Sequence, residues 1–339
     1  MEQTAYIPVQ ICGTGRALPK NRLCSSQLDA QLGLPSGHLA SVSGVEQRFF
    51  CDQENQIDLA ITASQTALAD ANLAMEEIDL VLCASAIPYQ TLPTTAPLVM
   101  QHLGMADGQA AAFDVNSTCL SFLNAFEVAA NKLALGQCNN ALVVSSEVAS
   151  RALPWDDRPD VAALFGDGAA AAILTRAKHE KTTGRKGIHA CQMQTFPSAY
   201  DACHIKAGGT RIDIHKETES FLAEARFSMD GRALFQITQK HFQKFVYQLL
   251  DQAGWTLDDI DIVIPHQASP VALAHMIKSL KLAPEKVINI AAQVGNQIAA
   301  SIPFCLDHAR KEKHLQSGMH VLLLGTSAGV SFGGMALKV

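Results

Sequence analysis

Two stretches of the chain repeat one pattern, and this repeat restricts the fold more than any other feature. ADANLAMEEIDLVLCASA, Ala69–Ala86, aligns without a gap with DQAGWTLDDIDIVIPHQA, Asp251–Ala268. Each predicts the end of a helix, a polar turn with paired acids, an Ile-Asp step and a continuous apolar run, which is typical of a strand buried on both faces. The sequence therefore predicts an internal duplication.

The elements that follow each repeat are predicted in the same order. In the first half they are a helix at Thr95–Leu103, a short strand at Ala111–Val115, a helix beginning at Cys119 and a strand at Asn140–Ser145. In the second half they are a helix at Pro270–Leu280, a short strand at Val287–Ile290, a helix beginning near Asn296 and a strand at His320–Leu324. This alternation predicts an α/β fold with parallel sheets that helices cover on both faces.

The segment between the halves shows little periodicity. Arg176–Arg226 is rich in His, Lys, Thr and Gly, so we expect a connection with irregular excursions and not a domain of its own. The predicted boundaries are 1–176 for the N-terminal half with the nucleophile, 177–226 for the connection and 227–339 for the C-terminal half.

Three polar residues are predicted to meet at one end of the sheets. Cys119 and Asn296 are expected at equivalent positions, each where a short strand leads into a helix, and His266 ends the duplicated strand of the second half. In doubly wound α/β folds, ligands bind at strand ends and helix N-termini. This group is the candidate site.

Cys119 has the setting of a nucleophile. Unpaired N–H groups and the positive end of a helix dipole favour a thiolate, so we expect a lowered pKa for Cys119. The alternative from the residues alone is a buried structural cysteine. Asn296 alone would be a helix cap or a left-handed residue, but beside Cys119 and His266 it becomes a candidate oxyanion donor.

Composition excludes several classes of function. A net charge of −6 without clustered Lys and Arg argues against nucleic-acid binding. The N-terminus does not resemble a signal peptide, and no apolar run is long enough to span a membrane. The nine cysteines include no C-x-x-C pair, which argues against zinc and favours reduced thiols in the cytoplasm. CGTGRALP lacks the G-x-G-x-x-G spacing of dinucleotide sites.

Cys119, the His of PHQAS and the Asn of GNQIAASIP, with FGDGAAAAIL between them and GTSAGVSFGG after them, resemble the thiolase superfamily. Within it the resemblance is to the β-ketoacyl-acyl carrier protein synthase III group, over nearly the whole chain. Thiolases proper use a second cysteine and elongating synthases a second histidine, so Asn296 points to the type III group. The resemblance implies a five-layered αβαβα fold of two duplicated halves, and a homodimer that pairs through the strand following the nucleophile helix.

The resemblance also implies a two-stage reaction. Cys119 would attack an acyl-CoA or acyl-ACP, with the oxyanion held by the backbone N–H groups of Cys119 and Ala328. A malonyl-ACP or malonyl-CoA would then lose carbon dioxide while His266 and Asn296 hold its carbonyl oxygen, and the enolate would attack the acyl group. The expected partner is an acyl carrier protein, and no metal or redox cofactor is expected.

Several positions depart from the family pattern. His38 and Val42 stand where housekeeping members place a Trp and an Arg that clasp the coenzyme A nucleotide, and Val271 replaces a further Arg. Arg158 is expected to preserve one phosphate contact. These changes make an acyl carrier protein or another thioester an alternative donor to coenzyme A.

The acyl pocket differs as well. The family closes it with a residue of the partner subunit, often Phe, before a Pro, and this chain has Leu92 before Pro93. The smaller side chain predicts a pocket for an acyl group longer or bulkier than acetyl, and Phe235 is a further expected substrate-binding residue. Two other functions stay open: an acyltransferase or a non-decarboxylating Claisen enzyme on this scaffold, and a non-catalytic acyl-binding partner subunit.

Overall fold

The computed structural model describes residues 6–177, 185–312 and 314–339. Its strands, in chain order, are Gln10–Ala17 (β1), Asn21–Cys24 (β2), Gln47–Phe50 (β3), Leu80–Cys83 (β4), Ala111–Asp114 (β5), Asn140–Glu147 (β6), Gly168–Thr175 (β7), Gly187–Thr195 (β8), Cys203–His204 (β9), Ser228–Met229 (β10), Ile262–Pro265 (β11), His320–Ser327 (β12) and Ser331–Lys338 (β13).

The α-helices, in chain order, are Ser25–Gln31 (α1), His38–Ser43 (α2), Gln56–Ala71 (α3), Thr95–Leu103 (α4), Ser121–Ala134 (α5), Pro159–Ala162 (α6), Thr218–Glu224 (α7), Gly231–Ala253 (α8), Pro270–Leu280 (α9), Ala291–Val294 (α10) and Ser301–Glu312 (α11). Short 3₁₀ helices lie at Met75–Glu77, Ala149–Ala152, Pro197–Ala202, Pro284–Lys286 and Ile298–Ala300. The predicted helices at Thr95–Leu103 and Pro270–Leu280 are confirmed. No helix in these described ranges is long and apolar enough to cross a membrane.

The two main sheets have the same strand order, which confirms the duplication. The first is β1-β7-β6-β4-β5 and the second, written in the same direction, is β8-β13-β12-β11. β4 runs parallel to β5 and β6, and β11 runs parallel to β12, whereas the other neighbours are antiparallel. The predicted strands β4, β5, β6, β11 and β12 therefore run parallel as expected, whereas the antiparallel strands were not predicted. β13 follows β12 through a tight turn and not through a crossover helix.

The predicted strand at Val287–Ile290 is also wrong. Val287 makes one isolated parallel bridge to Val263 of β11. Beyond it, the side chain of Gln267 donates to the backbone oxygen of Ile288 at 3.1 Å and accepts from the N–H of Ile290 at 2.9 Å. The side chain of Gln267 thus makes the hydrogen bonds to Ile288 and Ile290 that a neighbouring strand would otherwise make.

Buried side chains separate the molecule into five layers, as the resemblance implied. Leu80 and Leu82 of β4 face a central core that also contains α5 and α11, together with inward residues of β11. Val81 and Cys83 face a second core formed with α3 and α4. On the far side, α8 and α9 pack on the second sheet. The layers are therefore helices, sheet, helices, sheet and helices, and both repeated strands are buried on two faces.

The connection between the halves contributes to the second sheet. β8 pairs with β13 from Gly187 opposite Lys338 to Thr195 opposite Ser331. The expected connection thus includes a regular strand that was not predicted, because an edge strand that is partly exposed carries polar residues and lacks a long apolar run. Residues 178–184 of the predicted connection lie outside the described ranges.

The position of β6 overturns one expectation about assembly. β6 is the strand that follows the nucleophile helix, and it lies between β4 and β7, hydrogen-bonded to both. An interior strand has no free backbone groups for another subunit. Pairing through this strand is therefore wrong, and the edge of the first sheet beside β4 is formed by β5.

Candidate active site

Cys119 lies in a turn between β5 and α5. The helix begins at Ser121 and not at Cys119, which corrects the predicted start by two residues. The side-chain oxygen of Asn116 accepts a hydrogen bond from the N–H of Thr118 at 2.9 Å. The hydroxyl of Ser121 accepts from the N–H of Ser117 at 3.1 Å and donates to the oxygen of Thr118 at 2.6 Å. Polar side chains thus fix the turn in front of the nucleophile.

Cys119 as a residue is half-buried, and its sulfur lies near the backbone N–H of Ala328 in the second half of the chain. Hydrogen bonds from the backbone N–H groups of Ala328 and of Cys119 itself lower its pKa, but burial and the nearby groups Glu147 and Cys203 outweigh them and raise that pKa to about 12. The expectation of a lowered pKa is therefore wrong, because loss of hydration exceeds the effect of the helix start. Two N–H groups beside the sulfur can also donate to the oxygen of an acyl group bound to it, which is what an oxyanion site requires.

His266 directly follows β11 and is 5% exposed. Its backbone N–H donates to the oxygen of Leu324 at 2.8 Å, which extends the pairing of β11 with β12 by one residue. Burial lowers the pKa of its imidazole to about 4, so the ring is neutral at pH 7. Its Nδ1 is buried without a hydrogen-bond partner. A neutral imidazole offers one donor and one acceptor.

A glycine on β12 allows the two halves of the site to meet. A Cβ added at Gly325 would lie 2.8 Å from Cδ2 of Leu120 and 3.2 Å from Cβ of His266. Only a residue without a side chain leaves room for this approach. Leu120 follows Cys119 directly, so the nucleophile turn and the histidine border the same point of the second sheet.

Asn296 is 8% exposed and held by the first half of the chain. Its backbone N–H donates to the oxygen of Leu164 at 2.8 Å, and its oxygen accepts from the N–H of Gly166 at 3.1 Å. Its side-chain amide donates to the oxygen of Ala268 at 3.3 Å and accepts from the N–H of Ile298 at 2.8 Å. The FGDG motif therefore acts as a backbone support for Asn296.

The predicted equivalence of Cys119 and Asn296 is wrong by three residues. Asn116 makes the same pair of side-chain hydrogen bonds as Asn296: its amide donates to the oxygen of Ala86 at 2.9 Å and its oxygen accepts the turn N–H described above. Asn116 is therefore the counterpart of Asn296 in the first half. In this register the counterpart of Cys119 is Ala299, which lies in the 3₁₀ helix after Asn296.

Glu147, at the end of β6, belongs to the site although sequence reasoning missed it. It is fully buried and accepts hydrogen bonds from the N–H groups of Ala86 at 2.5 Å and Ile87 at 3.4 Å. Burial raises the pKa of its carboxyl to about 8, against the hydrogen bonds from these residues and Ala299, which lower it. The signal in the sequence was a single acid ending the apolar run of β6.

The raised pKa of Glu147 leads us to expect that the stability of the protein depends on pH. Its pKa of about 8 in the folded protein lies above the ordinary value of 4.5, so its contribution to stability is lost as pH rises through the folded value. We expect the free energy of unfolding of the wild type to fall between pH 6.5 and 8.5 by up to ~1 kcal/mol per pH unit. His266, whose folded pKa is lowered, loses its contribution only below pH 6.5.

The measurement is urea denaturation across this pH range. Glu147→Gln removes the ionisable group, and we expect a flatter dependence on pH in this variant. Glu76→Gln, at an exposed position, is the matched control and should follow the wild type. Equal slopes in the wild type and Glu147→Gln would contradict the interpretation.

The three expected substrate-binding residues lie at the surface, apart from the buried His266 and Asn296. Leu92 is 84% exposed in the loop before α4. The guanidinium of Arg158 already has a partner, since Nε and Nη2 donate to the carboxylate of Asp160 at 2.9 and 2.8 Å. Phe235 is exposed on α8. In the part of the chain that the structure describes, no group of three or more His, Cys, Asp or Glu could hold a metal ion.

Comparisons with known proteins identify the family. Residues 113–194 match the model of 3-oxoacyl-[acyl-carrier-protein (ACP)] synthase III, and residues 250–339 match the model of its C-terminal part. The β-ketoacyl-[acyl-carrier-protein] synthase III of Clostridium perfringens strain 13 is 31% identical over 330 residues, which cover 97% of this chain and 99% of the relative.

Solved structures agree with this result. A 3-oxoacyl-(acyl carrier protein) synthase III from Pseudomonas aeruginosa PAO1 superimposes with a TM-score of 0.85 and 31% identity, covering 98% of each chain. A cerulenin-bound OleA from Xanthomonas campestris gives a TM-score of 0.85 and 26% identity, covering 99% of this chain and 98% of that one. The chain belongs to the 3-oxoacyl-[acyl-carrier-protein] synthase III family of thiolase-fold, acyl-transferring condensing enzymes.

Proposed function

We propose that this protein catalyses a decarboxylative Claisen condensation between an acyl thioester and a malonyl thioester, in fatty-acid initiation or a specialised lipid or polyketide pathway. The observation that carries the proposal is that the backbone N–H groups of Cys119 and Ala328 lie at the thiol of Cys119, while the next residue, Leu120, and the buried, neutral His266 both border Gly325. Family membership supports the reaction class.

In the first step, the sulfur of Cys119 attacks the carbonyl carbon of the acyl donor. The raised pKa keeps the group a thiol in the resting enzyme, so its proton leaves as the carbon–sulfur bond forms and ends on the departing sulfur of the donor. The N–H groups of Cys119 and Ala328 then stabilise the oxyanion, and the thiol of the donor leaves. Each such donor contributes on the order of 10²–10³ in rate. The product is an acyl-Cys119 thioester.

In the second step, a malonyl thioester loses carbon dioxide and the resulting enolate attacks the acyl group. A neutral imidazole protonated at Nε2 and an amide N–H of Asn296 donate to the enolate oxygen. Because Asn296 has two amide hydrogens and gives one to Ala268, the other is available. The bond between the acyl carbon and the sulfur of Cys119 breaks, the β-ketoacyl thioester leaves, and the sulfur takes a proton from solvent to restore the thiol. No metal or redox cofactor takes part.

The donor is an acyl carrier protein thioester in preference to acyl-CoA. Val42 and Val271 are both exposed, the latter by 67%. The segments that carry them are adjacent, since a Cβ at Gly44 would lie 2.9 Å from Cβ of Pro270. The exposed apolar side chains on these two segments give no charge for nucleotide phosphates. The pairing of Arg158 with Asp160 supports the same choice, although Arg158 stays a candidate for one phosphate contact.

A homodimer completes the acyl pocket. β5 is a free edge of the first sheet, and strand addition across it satisfies its backbone groups. Leu92, on the exposed loop between β4 and α4, then enters the pocket of the partner subunit. We place Phe235 at the pantetheine entrance, where its ring lies 4.9 Å from that of His275. The cytoplasmic location stays a prediction.

The test uses a panel of acyl thioesters of increasing length, on CoA and on carrier protein, with and without a malonyl thioester. Intact-protein mass spectrometry measures the adduct at Cys119, and radiolabelled malonyl carboxylate measures carbon dioxide release. We expect acylation with donors longer or bulkier than acetyl, and carbon dioxide release only when both substrates are present. Best acylation by acetyl would contradict the pocket assignment.

Other outcomes identify the competing functions. Acylation without malonyl-dependent carbon dioxide release indicates an acyltransferase or a non-decarboxylating Claisen enzyme. No adduct with any donor, in a folded protein, indicates a non-catalytic acyl-binding subunit.

A further inference from the structure

The duplication places one turn at two positions in the molecule. In each half an asparagine side-chain oxygen accepts from the N–H two residues later, at 2.9 Å from Thr118 to Asn116 and at 2.8 Å from Ile298 to Asn296. In each half the amide nitrogen of the same asparagine donates to the backbone oxygen of the last residue of the sequence repeat, which is Ala86 in the first half and Ala268 in the second. The two turns therefore share both anchoring hydrogen bonds.

A serine closes both turns in the same way. The hydroxyl of Ser121 accepts from the N–H of Ser117 at 3.1 Å, and the hydroxyl of Ser301 accepts from the N–H of Gln297 at 3.2 Å. Each serine begins its helix, α5 or α11. The asparagine and the serine thus define the two ends of one repeated unit.

The central residue of each turn has an unfavourable backbone conformation. Thr118 has φ +54° and Ile298 has φ +50°, and both are β-branched, a class that rarely occupies this region. Such a conformation persists only where surrounding contacts enforce it. The asparagine two residues earlier holds the N–H of this residue, and in the first half Cys119 comes directly after it.

We propose that Asn116 is a positioning residue for the nucleophile: its side chain holds Thr118 in the left-handed conformation and thereby directs the N–H and sulfur of Cys119 toward Ala328. Thr118 itself reaches that segment, since its hydroxyl lies 3.4 Å from the backbone oxygen of Ala328. The proposal rests on Cys119 being the nucleophile. Asn296 builds the same turn and in addition gives its free amide hydrogen to substrate.

The turn requires a side-chain oxygen at position 116 within hydrogen-bond distance of the N–H of Thr118. We chose the variants to remove, displace or keep this oxygen. Asn116→Ala removes the acceptor, and Asn116→Gln keeps the amide but places it one methylene too far away. Asn116→Ser keeps a short neutral acceptor, since serine forms the same type of turn. At the other turn, Asn296→Ser likewise keeps the acceptor but removes the amide donor. Asn131→Ala, on the exposed face of α5, is the control.

The first measurement is the rate at which iodoacetamide alkylates Cys119, followed by mass spectrometry without any acyl substrate. We expect Asn116→Ala and Asn116→Gln to slow alkylation by about tenfold, because a displaced turn loses the N–H groups that favour the thiolate, and a pKa higher by about one unit leaves about ten times less of it. We expect Asn116→Ser and Asn131→Ala to stay within about twofold of wild type. Thermal melting confirms that each variant is folded.

The second measurement is malonyl-dependent carbon dioxide release. Asn116→Ser should retain it, whereas Asn296→Ser should keep normal alkylation and lose carbon dioxide release. Wild-type alkylation in Asn116→Gln, or equal losses in Asn116→Ser and Asn116→Ala, would overturn the proposal. No acyl adduct on wild-type Cys119 with any thioester donor would instead refute the proposed function. Because Gln and Ser are both polar, a failure of the alanine variant to fold leaves the decisive comparison intact.

Discussion

Replacing Cys119 with serine is expected to abolish acyl-enzyme formation and, with it, condensation. The hydroxyl has the same position and the same two N–H groups nearby, but it is a far weaker nucleophile than a thiol. Loss of a covalent nucleophile typically reduces turnover by ~10⁴-fold or more. The measurement is intact-protein mass spectrometry after incubation with the best acyl donor, together with carbon dioxide release from malonyl thioester.

Cys12→Ser is the matched control for this experiment. Cys12 is also partly buried, but it lies in β1, where its sulfur contacts the hydroxyl of Thr175. The control should acylate and condense as the wild type does. An adduct on the Cys119→Ser protein that peptide mapping assigns to another of the nine cysteines would mean that this cysteine carries the acyl group.

Replacing Gly295 with alanine is expected to reduce condensation by ~100-fold or more, since displacement of a catalytic group by about 1 Å has effects of this size. Gly295 has φ +71° and ψ −171°, a conformation that is essentially restricted to glycine. An added Cβ would lie 2.9 Å from the carbonyl carbon of Phe165 and 3.0 Å from the nitrogen of Gly166. These atoms belong to the support that holds Asn296, so the amide must move.

Gly254→Ala separates this effect from the general cost of a glycine replacement. Gly254 also has φ +71°, but no atom lies within 4 Å of an added Cβ. It should lose stability without losing condensation per folded molecule. For Gly295→Ala we expect alkylation of Cys119 to persist while carbon dioxide release falls. Equal condensation in both alanine variants would show that the support of Asn296 does not matter for catalysis.

Sequence alone predicted the elements whose signals are local. The helices at Thr95–Leu103 and Pro270–Leu280 were predicted to the residue, because Thr, Pro and Gly mark their ends. The repeated strands were predicted because apolar runs of this kind fit strands covered on both faces. Five layers and the family followed from the resemblance, and the comparisons confirm both.

The sequence-based predictions failed for features that depend on contacts between distant parts of the chain. The strands β1, β7, β8 and β13 were not recognised as antiparallel partners, because strand direction depends on connections that periodicity does not report. The pKa of Cys119 was expected to fall, since a sequence displays the helix start but not the depth of burial. Glu147 was missed for the same reason, because its three N–H donors come from distant parts of the chain.

The equivalence of Cys119 with Asn296 shows how a correct repeat can give a wrong register. The strand repeats align without a gap, but the turns carry almost no common letters beyond an asparagine and a serine. Only the hydrogen bonds identify which residues correspond. The candidate trio was therefore available from the sequence, whereas the partnership of Asn116 with Asn296 required coordinates.

The mutual support of the two halves has a consequence for cutting the chain. The N–H of Ala328 comes from the C-terminal half and serves Cys119, while Leu164 and Gly166 come from the N-terminal half and secure Asn296. Neither piece, made separately, contains a finished reaction centre. Activity recovered by mixing the two fragments would therefore report their reassociation, and an inactive mixture would reveal pieces that fold but fail to dock.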